Sequence, residues 1–278
     1  MGFQGCDDVR ILVRGGGDIA TGIAHRLFKS GFRVFITEIS HPMCVRRKVA
    51  FCEAVYNGKT EVEGVTARLA EDPEEAVRIS NEGIIPILID EKAKSIETIK
   101  PLVVVDAIMA KKNLGLSMKM APIVIGVGPG FRAGVDCHAV VETMRGHDLG
   151  RVITKGKARD NTGVPGDIMG FSRKRVIYAP VSGVIKLIHD IGDMVREGEA
   201  IAEINDVVVT APIGGVLRGI IRNGFNVTRG MKIGDVDPRG IVEHCFTISD
   251  KARAVGGGVL EAVLYLMGSG SQQDTKNS

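Results

Sequence analysis

The chain has 278 residues, enough for two ordinary domains, and its 44% hydrophobic and 25% charged residues are the composition of a soluble globular protein. Its 36 Lys plus Arg against 33 Asp plus Glu leave a net charge of +3, and no dense basic block is interleaved with aromatics, so no nucleic-acid partner is expected. No apolar run approaches the roughly 18 residues that span a bilayer, and no apolar signal core precedes the first strand, so no membrane partner is expected either.

The opening stretch Val9 to Glu38 reads as strand, tight turn, helix, strand. An aliphatic run (Val9, Ile11, Leu12, Val13) meets Gly15, Gly16 and Gly17; apolar residues then recur at Ile19, Ile23, Ala24 and Leu27, and after Gly31 a second aliphatic run ends at Glu38. Gly15, Gly17 and Ala20 fit the G-x-G-x-x-G/A spacing, with an acid roughly 20 residues further on. The unit resembles the first half of a dinucleotide-binding fold. That resemblance assigns Gly15, Gly16 and Gly17 to a pyrophosphate and Glu38 to a ribose hydroxyl. Asp18 puts a negative charge where the phosphate would approach; it can cap the helix or hold a metal that bridges to the phosphate.

From Pro42 to Tyr56, Val45, Val49, Cys52 and Val55 recur at helical spacing, which predicts a helix with Arg46, Arg47 and Lys48 in its first turns, where they face an anion or solvent. His41 reads as an exposed turn residue. A strand over Val65 to Leu69, a helix from Asp72 through Ile79 and buried strands over Ile84 to Asp90, Leu102 to Asp106 and Ile123 to Val127 follow. Six strands with helical crossovers predict an open parallel sheet whose ligands bind at the strand C-termini. Asp106 ends one strand, and Gly126 to Gly134 forms a second glycine-rich loop at the end of another, which adds Gly128, Gly130 and Arg132 to the candidate crevice. A helix from His138 to Met144, capped by Asp136, would put His138 and Glu142 on one face. Two ligands are too few for a metal site, and none is assigned.

Residues 151–178 are rich in Gly, Lys and Arg and read as an entry hairpin and linker, in which Lys155, Lys157 and Arg159 either close over an anionic ligand or are simply solvated. From Ala179 the chain repeats itself at an offset of about 32 residues: Ala179-Pro180 matches Ala211-Pro212, Gly183 matches Gly215, and likewise Ile188 and Ile220, Gly192 and Gly224, Val195 and Val227, Gly198 and Gly230, Ile201 and Ile233. Two copies of short strands should clasp face to face around one core. The doubled pattern resembles the biotinyl/lipoyl-like barrel-sandwich hybrid, but its hairpin Glu203 to Val208 has no lysine, so the module reads as a docking or capping element rather than a carrier. Ser249 can cap a helix from Asp250 to about Met267, and Gly256-Gly257-Gly258 inside it imply close approach of another backbone or a ligand.

The expected fold is therefore α/β. A doubly wound Rossmann-like parallel sheet occupies 1–150, the linker 151–178, an all-β barrel-sandwich-hybrid domain 179–240, a C-terminal helical segment 241–267 and a disordered tail 268–278.

The motifs RGGGDIATGIAHRL, VRRKVAFCEAVYNG, IVIGVGPGFRAGVDCHAVVETMRGHDLGRVI, NTGVPG, GVLRGIIRNGF with MKIGDVDPRG, and ISDKARAVGGGVLEAV resemble the YqeB-type accessory proteins of the selenium-dependent molybdenum hydroxylase system, over nearly all of residues 9–267. The first half is also similar in kind to the nucleotide-fold part of xanthine dehydrogenase accessory proteins. The resemblance implies a maturation factor whose partners are a molybdenum hydroxylase subunit and a small phosphate-bearing ligand, either a dinucleotide form of the molybdenum cofactor or NAD(P); a homo-oligomer is compatible with it. Two other functions fit the glycine loops: an NAD(P)-dependent oxidoreductase, for which no Tyr-x-x-x-Lys pair stands out, and a non-catalytic docking scaffold. Cys137, between the second glycine loop and the expected helix, is the thiol considered for carrying sulfur or selenium. The five cysteines, Cys6, Cys44, Cys52, Cys137 and Cys245, form no C-x-x-C pair, which fits a reducing, cytoplasmic setting.

Overall fold

The structure, a computed structural model, describes residues 8–163 and 166–274. Cys6, Val164 and Pro165 of the NTGVPG turn, and the last four residues of the expected tail lie outside the described residues. The chain divides into two compact units: one holds the chain up to Pro42, Phe51–Asn161 and everything from Ile248, and the other holds Met43–Ala50 and Thr162–Thr247.

The first unit is built on a nine-stranded mixed sheet. Its strands in chain order are β1 (Arg10–Arg14), β2 (Arg33–Glu38), β3 (Lys59–Val62), β4 (Val65–Ala70), β5 (Ile85–Ile89), β6 (Val103–Asp106), β7 (Ile123–Val127), β9 (Ala139–Val141) and β10 (Val152–Ile153); β8 (Arg132–Ala133) and β11 (Gly156–Lys157) form a separate ribbon. The spatial order is β10-β9-β7-β6-β1-β2-β5-β4-β3. The strands from β9 to β4 in that order are parallel to their neighbours, and β10 and β3 close the two edges antiparallel. β1, β6 and β7 are nearly wholly buried because both sheet faces are covered, which is why they read as continuous aliphatic runs.

The helices are α1 (Asp18–Lys29), α2 (Ala54–Asn57), α3 (Pro73–Asn81), α4 (Ile96–Ile99) and α5 (Asp250–Asp274). α1 buries Ile19, Ile23 and Leu27 on one stripe, each worth roughly 1.5–3 kcal/mol of burial. α3 starts where Asp72 accepts the Glu75 N–H at 2.6 Å, with Pro73 in the first turn. α5 starts at Ser249, whose Oγ accepts the Ala252 N–H. It lies on α1 so closely that a Cβ at Gly22 would stand 2.7 Å from the Ala252 Cβ, and one at Gly256 would stand 2.8 Å from the Gly22 carbonyl. A Cβ at Gly258 would strike the Gly150 carbonyl, whereas Gly257 has open space. The glycine triplet thus marks close backbone approach, and α5 returns to the sheet. It continues to Asp274, past the start of the expected polar tail.

Two expected helices are absent. Between Pro42 and Tyr56 the chain makes only 3-10 turns at Arg47–Val49 and Phe51–Glu53 before the single turn of α2. The apolar residues there recur at helical spacing but serve two units, because Met43–Ala50 leaves the sheet. His138 to Met144 is extended: the β-branched run around Val140 and Val141 pairs as β9 beside β7.

The second unit carries β12 (Val176–Tyr178), β13 (Gly183–Leu187), β14 (Met194–Val195), β15 (Ala200–Ile204), β16 (Val207–Thr210), β17 (Gly215–Ile220), β18 (Asn226–Val227) and β19 (Lys232–Asp237). They form two antiparallel sheets, β12-β19-β17-β14 and β16-β15-β13-β18. Each repeat copy keeps its two longer strands together and lends its short strand to the other copy, so β14 pairs with β17 and β18 with β13. Gly183 and Gly215 open the two copies at nearly the same φ, +153° and +152°. Ile185, Ile201, Leu217, Val227 and Ile233 fill the shared core. Residues 151–161, expected in the linker, stay with the first unit, because β10 pairs with β9 and β11 with β8.

Candidate functional site

The parallel strands place the loops after β1, β2, β6 and β7 at one edge of the sheet. From β1 the chain moves through α1 to β2 on one side, while β6 lies on β1's other side, so the strand order reverses between β1 and β6. A crevice is expected outside the carboxyl ends of strands at such a point.

Gly15, at φ +96°, donates its N–H to the Thr37 carbonyl at 2.8 Å; a Cβ there would stand 3.1 Å from the Ala107 carbonyl and the Ile108 Cα. Only glycine lets the β1 and β6 loops meet so closely. The Gly16 N–H donates to Glu38 Oε2 at 2.7 Å, and the Gly16 carbonyl accepts from the Cys52 N–H at 2.9 Å and from the Thr21 hydroxyl at 3.2 Å. Gly17 differs from both. It is the N-cap of α1 in an ordinary extended conformation (φ −66°, ψ −179°), and a Cβ there would meet nothing within 4 Å. Asp18 opens α1 and makes no side-chain cap; Gly17 holds that position.

Glu38 accepts N–H bonds on both oxygens, from Gly16 and from Ile39 at 2.9 Å. Burial pushes its carboxyl above the usual glutamate range, with the Ile39 and Gly16 N–H groups pulling the other way. Asp106 is buried and paired with Arg14 at 2.7 Å, while Ile108 N–H donates to its second oxygen. Burial raises it too, opposed first by the Arg14 charge. Asp106 therefore ties β6 to β1, and Arg14 goes on to hold the Leu114 carbonyl at 3.2 Å. The one sequence signal for Arg14 is a charge closing an aliphatic strand directly before the glycines. Lys251, in the first turn of α5, is also invisible to local pattern; burial lowers its ammonium, and Asp18 leads the charges that oppose this.

The second glycine loop lies at the same edge. Gly128 donates to the Val141 carbonyl at 2.8 Å, and the Gly130 backbone rests on Lys111 and Lys112. Arg132 is exposed on β8. The loop borders a cavity of about 470 Å³ lined by Lys111, Arg132 and Lys157, together with Asp136, Asp160 and the backbone around Gly130. Gly15, Gly16, Gly17, Glu38 and Asp106 are not among its lining residues.

Other candidates have structural work. His138 Nδ1 accepts the Val124 N–H at 3.0 Å, and Glu142 accepts N–H bonds from Thr143, Met144 and Arg159, so the two do not form a helical pair. Among the described residues no group of His, Cys, Asp and Glu is placed to hold a metal. Cys137 is wholly buried, and burial pushes its thiol up to about 11, so it is not an activated carrier. Arg46 and Arg47 are bonded within the second unit: Arg46 donates to the His244 carbonyl at 2.7 Å, and Arg47 to the Ile220 carbonyl at 2.8 Å and to Asp190. They fasten Met43–Ala50 into the second unit, where Val45 packs on the bare backbone of Gly219. Lys157 pairs with Asp160, and Arg159 with Asp148.

No family model matches the chain. It is 50% identical over 260 residues, 94% of its length, to the uncharacterized protein YqeB of Escherichia coli (strain K12), and this likeness supports the YqeB family. The chain spans about half of that relative, 48%. Among solved structures it is similar to the ectoine utilization protein EutE (DoeB) of Ruegeria pomeroyi with product bound (11% identity, 81% of this chain and 56% of the other, TM-score 0.23). It is also similar to a succinylglutamate desuccinylase/aspartoacylase of Rhodobacter sphaeroides (10% identity, 82% and 85%, TM-score 0.25). At those scores neither likeness bears on chemistry. Among the described residues no helix is long and apolar enough to cross a membrane.

Proposed function

We propose that the chain is an accessory protein in the maturation of a selenium-dependent molybdenum hydroxylase, and that its sheet edge holds a phosphate-bearing small molecule, a dinucleotide form of the molybdenum cofactor or NAD(P). In this reading the first unit is Rossmann-like and the strand-exchanged repeat is a barrel-sandwich hybrid that docks a hydroxylase subunit. The resemblance carried by the motifs named above supports the maturation role, and the likeness to the uncharacterized protein YqeB supports the family alone.

The observation that carries the ligand reading is Gly17. It stands at the N-terminus of α1, at the reversal of strand order, with open space where a side chain would be. The first-turn amides of a helix lack intrahelical acceptors and favour an anion. The Gly15 and Gly16 amides already have acceptors, so pyrophosphate recognition narrows to Gly17 and the first turn of α1. Glu38 keeps a ribose role through lone pairs its two N–H bonds leave over. Asp18 and Glu38 oppose a phosphate, and Lys251 supplies the compensating charge beside Asp18.

The test is calorimetric titration of the purified chain with NAD(P), CTP and molybdenum cofactor, alongside mass spectrometry of small molecules that co-purify. Selective binding of one ligand is expected. Binding of none, with hydroxylase binding retained, would favour the non-catalytic scaffold. For the family role, hydroxylase isolated from cells lacking the chain should carry no active cofactor; fully active enzyme would overturn it.

A further inference from the structure

We infer that the cavity beside the second glycine loop is a separate anion site, selective for a compact phosphate group such as a phosphate ester or pyrophosphate, and distinct from the α1 site proposed above. Its lining shares no residue with Gly15, Gly16, Gly17, Glu38 or Asp106, and its volume of about 470 Å³ is ample for such a ligand.

Charge placement carries the inference. Arg132 and Lys157 are directly opposite each other on the antiparallel β8–β11 ribbon, which sets both side chains on one face. Like charges in that register repel, which Asp160 relieves on the Lys157 side and an anion would relieve on the Arg132 side. Lys111 adds a third cation from a different loop, the one after β6. The carboxylates in the lining only partly offset them. Asp160 is taken by Lys157 at 3.0 Å, and Asp136 accepts the Arg132 backbone N–H at 2.7 Å and the Asn113 amide at 3.2 Å. Among the described residues no acceptor is bonded to the Arg132 guanidinium, whose fork suits a phosphate bidentately.

The backbone supports the same conclusion. Lys111 and nearby Met109 hold left-handed conformations, φ +63° and +62°, a cost of about 1–3 kcal/mol each that persists at ligand-binding loops. A Cβ at Gly130 would stand 2.7 Å from the Lys112 nitrogen, and Phe131 is buried with its ring against Gly126, so the cavity wall is fixed before a ligand arrives.

The experiment is titration of the full chain with inorganic pyrophosphate, followed by ³¹P NMR and calorimetry at low and moderate salt. Binding that weakens with salt is expected. Arg132→Gln and Lys157→Gln should each weaken it by about tenfold or more, whereas Gly257→Ala, at an open position on α5, should leave it unchanged. Both charged residues are exposed, and circular dichroism checks that the variants fold. Titration with a nucleoside triphosphate separates a terminal nucleotide phosphate from the free anion: either bound with the same dependence on Arg132 supports the site. Absence of pyrophosphate binding, or binding that Arg132→Gln and Lys157→Gln both leave unchanged, overturns it. The second result would leave the α1 reading standing, and loss of nucleotide binding at α1 would leave this one standing.

Discussion

Gly17→Leu separates a ligand-binding glycine from a folding one. Because the position is extended and the added side chain meets nothing within 4 Å, no overpacking follows. Leucine is a poorer N-cap than glycine by about 0.5–1.5 kcal/mol, and the stiffer unfolded chain returns about 0.4–1 kcal/mol. The net stability change is then about 1 kcal/mol at most, a melting shift of about 2–4 °C for a chain of this size. Binding should respond far more. A side chain over the first turn of α1 displaces a phosphate from one or two amide bonds, each worth about 1.5–3 kcal/mol to a charged acceptor. At about 1.4 kcal/mol per factor of ten, the dissociation constant for the ligand found by titration should rise at least about tenfold. The assays are calorimetry and thermal denaturation on the same samples. Unchanged affinity in a folded Gly17→Leu chain would refute the placement of the phosphate at α1.

Glu38 gives a pH test. Burial raises its carboxyl, so the folded chain holds that proton more tightly than the unfolded chain; the resulting stability is complete below the ordinary glutamate value and is lost as pH rises through the raised one. Compared with Glu38→Gln, the parent should therefore gain stability to urea as pH falls from about 7 to about 4.5, and a difference that does not move with pH contradicts this. In α5, Gly258→Ala should cost about 1–3 kcal/mol or more through collision with the Gly150 carbonyl, whereas Gly257→Ala should gain about 0.5–1 kcal/mol; denaturant midpoints shifting in the same direction would count against the α5 packing. Cys137 should resist iodoacetamide in the native chain at about pH 8 and react after unfolding, as peptide mass spectrometry would show; rapid native labelling would mean that the thiol is not buried as described.

Much of this was legible because it is periodic. β1, β2, β4 to β7 and the repeat read directly from aliphatic runs and paired glycines, as did the start of α3 near Asp72 and the Ser249 cap of α5. The failures have a common cause. Val45, Val49 and Cys52 recur at helical spacing, yet Val45 packs on Gly219 in the second unit while Cys52 donates to Gly16 in the first, so their periodicity came from two cores rather than one helix face. The run at Val140 and Val141 was short enough to read either way, and the place beside β7 decided it. Arg14 shows locally only as a charge closing an aliphatic strand and Lys251 not at all, since the partners that make them notable, Asp106 and Asp18, lie far along the chain.

The glycine-rich turn also shows how a motif can be right in position while most of its donors are already used. Gly15 and Gly16 give their amides to Thr37 and Glu38, and the Gly16 carbonyl is held by Cys52 and Thr21. Those bonds fix the turn against β2 and against the chain that re-enters at Phe51, so its shape does not depend on a ligand. A turn braced in this way pays little ordering entropy on binding, which favours preorganised recognition by the amides that remain. It also ties Glu38 to the loop: a ribose hydroxyl must share a carboxylate that already holds the turn in place. Removing Glu38 would therefore disturb the Gly16 amide and the ribose contact together, whereas Gly17 can be altered without either. For that reason the side-chain-free position, rather than the acid, is the cleaner probe of what this sheet edge binds.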